Sequence, residues 1–167
     1  LPDRARDVLE KRYGVGKTSE KQTLEAIGQT YGITRERVRQ IENYGIKSIQ
    51  KADVYLEFEP IFLELQKAIE ELGGGVVAEE TLLSMLTNDE VTKNHLYFLL
   101  VVGDLFYRNK ENTYYNHRWY TDKKISEVVE KGLRNVYRSL NSDELISEED
   151  VLSRFREELI EIADTYN

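Results

Sequence analysis

Cysteine is absent from this 167-residue chain, and histidine occurs only twice, at His95 and His117. The first absence excludes a disulfide scaffold, a cysteine-based zinc site and a thiol nucleophile. The second leaves a histidine metal site or a Ser-His-Asp triad poorly supplied, so composition leans away from an enzyme, and no cofactor or metal is expected. No apolar run approaches the roughly 20 residues that a membrane span needs. No charged-then-apolar leader reads as a signal peptide, and no membrane partner is expected. The first residue is Leu1 rather than Met, which predicts a fragment of a longer protein. Proline is scarce too, with only Pro2 and Pro60 to interrupt helices. What is present is 40% hydrophobic and 32% charged residues, enough to bury a core and to argue against wholesale disorder.

Positive charge is in short supply overall, with 23 Lys and Arg against 31 Asp and Glu and a net charge of -8. The deficit is uneven. Residues 1–51 hold eleven cations and seven carboxylates, a balance of +4, whereas residues 52–167 stand at -12. A basic head on an acidic body fits a nucleic-acid-binding module joined to something else.

Helical periodicity runs through most of the chain. A first helix is expected over residues 1–13, with Pro2 in its first turn and Ala5, Val8 and Leu9 on one stripe. Gly14-Val15-Gly16 ends it, and residues 17–22 form a loop. A second helix spans about Leu24 to Tyr31 with Thr23 as N-cap, and Gly32 supplies the turn. Thr34 then caps a third helix that reaches about Lys51. After an acidic connector at 52–57, helices are expected from Glu59-Pro60 to Leu72, at 79–86 and at 92–102. A β-hairpin follows, with Leu105-Phe106-Tyr107 and Thr113-Tyr114-Tyr115 flanking a turn at 109–112. Residues 122–140 and 147–166 read as two more helices, placed to begin a further unit cut off at Asn167. The fold class is therefore mostly α: an N-terminal helix-turn-helix domain at 1–51, a linker at 52–57, a winged-helix-like domain with one β-hairpin at 58–121, and C-terminal helices at 122–167.

At about 100° per residue, Val38, Ile41, Gly45 and Ile49 of the third helix share one side. Glu36, Arg39, Gln40, Asn43 and Lys47 share the other, flanked by Arg35 and Arg37. A helix of this kind can lie in the major groove of duplex DNA with its first two turns at the base edges. There Arg pairs with guanine, Gln with adenine, and Glu accepts from cytosine. A merely solvated, charge-rich helix face is the alternative.

The stretches LPDRARDVLEKRYGV and TLEAIGQTYGITRERVRQIENYGIKSIQK closely resemble region 4 of the primary-type bacterial sigma-70 factors. That resemblance covers residues 1–51. It implies recognition of a promoter −35 element in double-stranded DNA, contact with the β-flap of core RNA polymerase, and a cytoplasmic location. By the same resemblance Arg35, Glu36 and Gln40 would read bases of a TTGACA-like element. Arg37 and Arg39 would assist on bases or phosphates, and Arg12, Thr23 and Leu24 would hold the DNA backbone. Three departures stand out: a slightly longer loop from Gly14 to Thr23, Tyr44 where many relatives carry a basic residue, and above all a large acidic body after the module. Nothing in this sequence supplies the −10-binding, DNA-melting function of a sigma factor.

Residues 58–121 are acidic, at -5, and their would-be recognition helix TKNHLYFLLVVG offers only Lys93 and His95 to DNA. Helix order and the hairpin FYRNKENTYYNHRWY loosely resemble the winged helix of the polymerase delta subunit and the HARE-HTH family. Protein contact is the favoured reading for this module, and the acidic C-terminal part is expected to take a further protein partner. The aromatic set from Tyr97 to Tyr120 reads as core and hairpin packing rather than a base-stacking platform. Glu79-Glu80 and Glu148-Glu149-Asp150 read as helix starts rather than acid/base or Mg²⁺ sites. The alternative for the whole chain is a polymerase-binding regulator in which the acidic part masks or replaces DNA binding.

Overall fold

The structure, a computed structural model, describes residues 1–140 and 145–166, with side chains through residue 160. Residues 141–144, between the last two helices, and Asn167 lie outside the described residues. The chain is mostly helical, with a small antiparallel sheet, and packs as two units.

The first unit comprises residues 1–67 and 80–106. Helix α1 (Asp3–Tyr13) starts behind Pro2, whose carbonyl accepts from the Ala5 and Arg6 amides, both at 3.0 Å. Helix α2 (Leu24–Tyr31) starts at Thr23, whose Oγ1 accepts from the Ala26 amide at 3.1 Å. Gly32, at φ +61°, turns the chain in the left-handed region that favours glycine. Helix α3 (Arg35–Gln50) follows, with Thr34 Oγ1 accepting from the Arg37 amide at 3.2 Å. Local capping chemistry thus fixes both ends of the turn, as expected.

Val8, Ile27 and Val38 are fully buried, one from each helix, with Leu24, Tyr31, Ile33 and Ile41 packed around them. The turn sits close to α2 because residue 28 is glycine: a Cβ there would lie 2.7 Å from the Ile33 carbonyl. Beyond α3 the acidic connector is a 3₁₀ helix (Asp53–Phe58) that leads into α4 (Glu59–Gly73). Helix α5 (Glu79–Leu86) and α6 (Glu90–Val102) complete this unit, apart from Glu79 and the end of α4. Helix α6 lies against α1 and α3. Buried Asn94 donates to the carbonyls of Gly14 (3.2 Å) and Ser19 (2.8 Å). The rings of Tyr97 and Phe98 meet Tyr13 at 5.9 and 5.0 Å. Gln50 donates to the Val102 carbonyl at 2.9 Å.

The second unit comprises residues 68–79 and 107–167. Its described residues include β1 (Val76–Ala78), β2 (Tyr107–Asn109) and β3 (Arg118–Tyr120), in the order β1-β3-β2. Helix α7 (Lys123–Ser139) packs on β1 and on α8 (Glu148–Tyr166), where Phe155 and Leu159 close over Gly132. The hairpin exists, but its strands lie later than the aromatic pattern suggests. The first strand is 107–109 rather than 105–107, and the second is 118–120 rather than 113–115. Burial decides the register: Trp119 takes the centre of the sheet, opposite Val77 on one side and Arg108 on the other. Strand β1 carries no alternation long enough to announce itself. The packing division also cuts through residues 58–121, giving α5 and α6 to the first unit and the strands to the second.

Candidate nucleic-acid interface

The first two turns of α3 present Arg35, Glu36, Arg37, Arg39 and Gln40 to solvent, while Val38 points into the core. The division of faces is the one that helical spacing predicts. The exposed side chains are not idle. Arg39 forks onto Glu36, Nε to Oε2 at 2.8 Å and a terminal nitrogen to Oε1 at 2.7 Å. Arg37 donates to Gln40 Oε1 at 3.0 Å. The hydrogen bond from Arg39 holds the Glu36 carboxyl below its ordinary value, so Glu36 stays an ionised acceptor. Reciprocally, Glu36 raises the Arg39 guanidinium.

Beside this face lies a concavity of about 410 Å³ lined by Arg12, Thr23, Leu24, Glu25 and Arg35. It brings together residues from α1, the N-terminus of α2 and the start of α3. Thr23 Oγ1 accepts the α2 capping bond, which leaves its hydroxyl hydrogen free to donate elsewhere. The first amides of a helix lack intrahelical acceptors and favour an anion. Leu24 sits at that position. Arg12 is more constrained than its neighbours: it donates to the Gln22 carbonyl at 3.2 Å and approaches Glu42 at 3.4 Å. It therefore braces the loop before α2 as well as facing the concavity.

Glu42 is the residue that face-counting misses. It lies one turn beyond Val38 on the inner side of α3, is buried, and accepts from the Tyr13 hydroxyl at 2.8 Å. Burial, then the Glu42 carboxylate, pushes the Tyr13 phenol above its ordinary value. The i, i+4 spacing from Val38 was a signal for its position, outweighed by its polarity.

Other residues singled out from sequence take packing or capping roles. Lys93 pairs with Glu90 at 2.7 Å, and His95 Nδ1 lies 2.8 Å from the Val91 carbonyl, so α6 offers packing rather than a cationic face. Glu79 opens α5 and receives both ends of the Arg108 fork, at 2.5 and 2.9 Å. Glu148, Glu149 and Asp150 form the first turn of α8.

Residues 1–51 match the family model for sigma-70, region 4. Over 61 residues the chain is 44% identical to the RNA polymerase sigma factor RpoS of Coxiella burnetii, covering 36% of this chain and 16% of that protein. It is 48% identical over 50 residues to the sigma factor SigA of a Nostoc species, covering 30% and 13%. It is 37% identical over 51 residues to the principal sigma factor HrdD of Streptomyces griseus, covering 30% and 15%. The chain thus spans only a small part of the length of the relatives it matches. No solved structure gives a significant match. Among the described residues no helix is long and apolar enough to cross a membrane.

Proposed function

We propose that residues 1–51 are a sequence-reading DNA-binding module of a transcription initiation protein, and that the chain is not an enzyme. Arg35, Glu36 and Gln40 enter the major groove of a −35-type promoter element. Arg37 and Arg39 flank them, and Arg12, Thr23 and Leu24 hold the phosphate backbone. The observation that carries this reading is the continuity of the exposed α3 face with the concavity that gathers those last three residues beside Arg35. Base-edge donors and acceptors stand next to a helix N-terminus suited to phosphate, the two kinds of contact a duplex reader combines. The similarity of residues 1–51 to sigma factors supports the same assignment, a cytoplasmic location, and contact with core RNA polymerase through its β-flap. Residues 58–121 and 122–167 form the accessory part that takes a further protein partner.

The test is fluorescence anisotropy of the chain on a TTGACA duplex and on a scrambled duplex, at several salt concentrations and up to tens of micromolar protein, the range of non-specific affinities. Preference for TTGACA that disappears in Arg35→Ala is the expected result. Equal, salt-steep binding to both duplexes would reduce α3 to an electrostatic footprint.

A further inference from the structure

The connector and the first turns of α4 each expose a leucine. Leu56 is 72% exposed and Leu63 51% exposed. They form two walls of a groove of about 270 Å³ whose floor includes Tyr55 and Phe62, with ring centroids 5.2 Å apart. The floor is fixed, because Phe62 is buried and the Tyr55 hydroxyl donates to Asp104 Oδ1 at 3.2 Å. Glu59 and Asp104 stand at the rim. From Ala52 to Gln66 the chain has four carboxylates and no lysine or arginine. An apolar slot in an acidic border is complementary to a helix with an apolar ridge and basic flanks. The border disfavours an anionic lipid surface or nucleic acid. None of these groove residues belongs to the DNA-reading face.

We infer that this groove docks a basic amphipathic helix of a partner protein, with aliphatic side chains seated between Leu56 and Leu63 and cations on Glu59 and Asp104. Both leucines are exposed, so changing them to glutamine removes the walls without opening the core.

The experiment uses a fluorescein-labelled synthetic helix with leucine on one face and lysine on the other, titrated with the full chain. Two control peptides accompany it, one of the same composition in non-amphipathic order and one with glutamate for lysine. The expected result is saturable binding of the amphipathic Leu/Lys peptide alone. The Leu56→Gln/Leu63→Gln variant, checked for an unchanged thermal melt, should bind at least about tenfold more weakly. Glu59→Gln should reduce the salt dependence of binding. Equal binding by the double variant, or by either control peptide, overturns the inference, as does no saturation at all. Sedimentation of the chain alone supplies the remaining arm: a dimer that the double variant abolishes would assign the groove to a second copy and overturn the inference too.

Discussion

Glu36 with Arg39 and Arg37 with Gln40 form two interleaved i, i+3 pairs on one exposed helix face. Reading an adenine takes both ends of the Gln40 amide, the oxygen accepting from the base amino group and the nitrogen donating to the ring. In the free protein Arg37 donates to that oxygen, so when Gln40 engages a base Arg37 either shares the oxygen through its second lone pair or lets go. Exposed pairs of this kind are weak enough for the exchange. Gln40→Ala should therefore cost about 1–3 kcal/mol on the preferred duplex and relax preference at one base pair. Competition anisotropy with single-base variants of the duplex measures this, and a uniform loss across all of them would argue against base readout. The buried Tyr13–Glu42 contact yields a prediction of a different kind. Tyr13 keeps its proton in the native state to a higher pH than in the unfolded chain, where tyrosine titrates near 10. Its contribution is complete below that pH, and above it the unfolded state is favoured by up to about 1.4 kcal/mol per pH unit. Urea unfolding at pH 9 and pH 11 should show a smaller alkaline loss for Tyr13→Phe than for the unaltered chain.

Helix α2 was legible to the residue because its limits are local: Thr23 closes one end by a bond within the same turn, and Gly32 allows the left-handed exit. The outer face of α3 was legible for the same reason, since helical spacing alone separates Val38 from Gln40. Pairing between distant segments was not. The register of β3 depends on Trp119 finding Val77, more than forty residues away, and nothing near Trp119 encodes that choice. Helix α6 gives a second case. Its apolar run announced a helix poor in cations, but not that Asn94 would reach back to the loop after α1. Asn94→Ala should cost about 1–3 kcal/mol, because the buried Gly14 carbonyl loses its donor. Asn94→Leu restores volume without a donor, so it should recover little of that loss in urea unfolding. Full recovery would mean that shape rather than hydrogen bonding holds α6 to the first unit.

For the whole molecule, a net charge of -8 opposes any approach to DNA, and the +4 head must act against that background. Binding then depends on how many phosphates the head neutralises, which the salt dependence counts at about 0.9 in log–log slope per phosphate. Arg37 is the informative residue. Relative to Val38 in the core, Glu36 and Gln40 point nearly straight out at about 200°, while Arg37 and Arg39 lie about 100° to either side. Side chains at the centre of such a helix meet base edges, and those at its flanks meet the phosphate walls of the groove. Arg37→Gln should therefore weaken binding to TTGACA and scrambled duplexes by similar factors and lower the salt slope by about 0.9. Arg35 is the exception to this angular rule, because it is the first residue of α3 and the N-terminal end of such a helix points into the groove. Arg35→Ala should instead erase the difference between the two duplexes. If Arg37→Gln changed sequence preference while the slope held, Arg37 would belong to the base-reading set and α3 would lie rolled in the groove toward that flank.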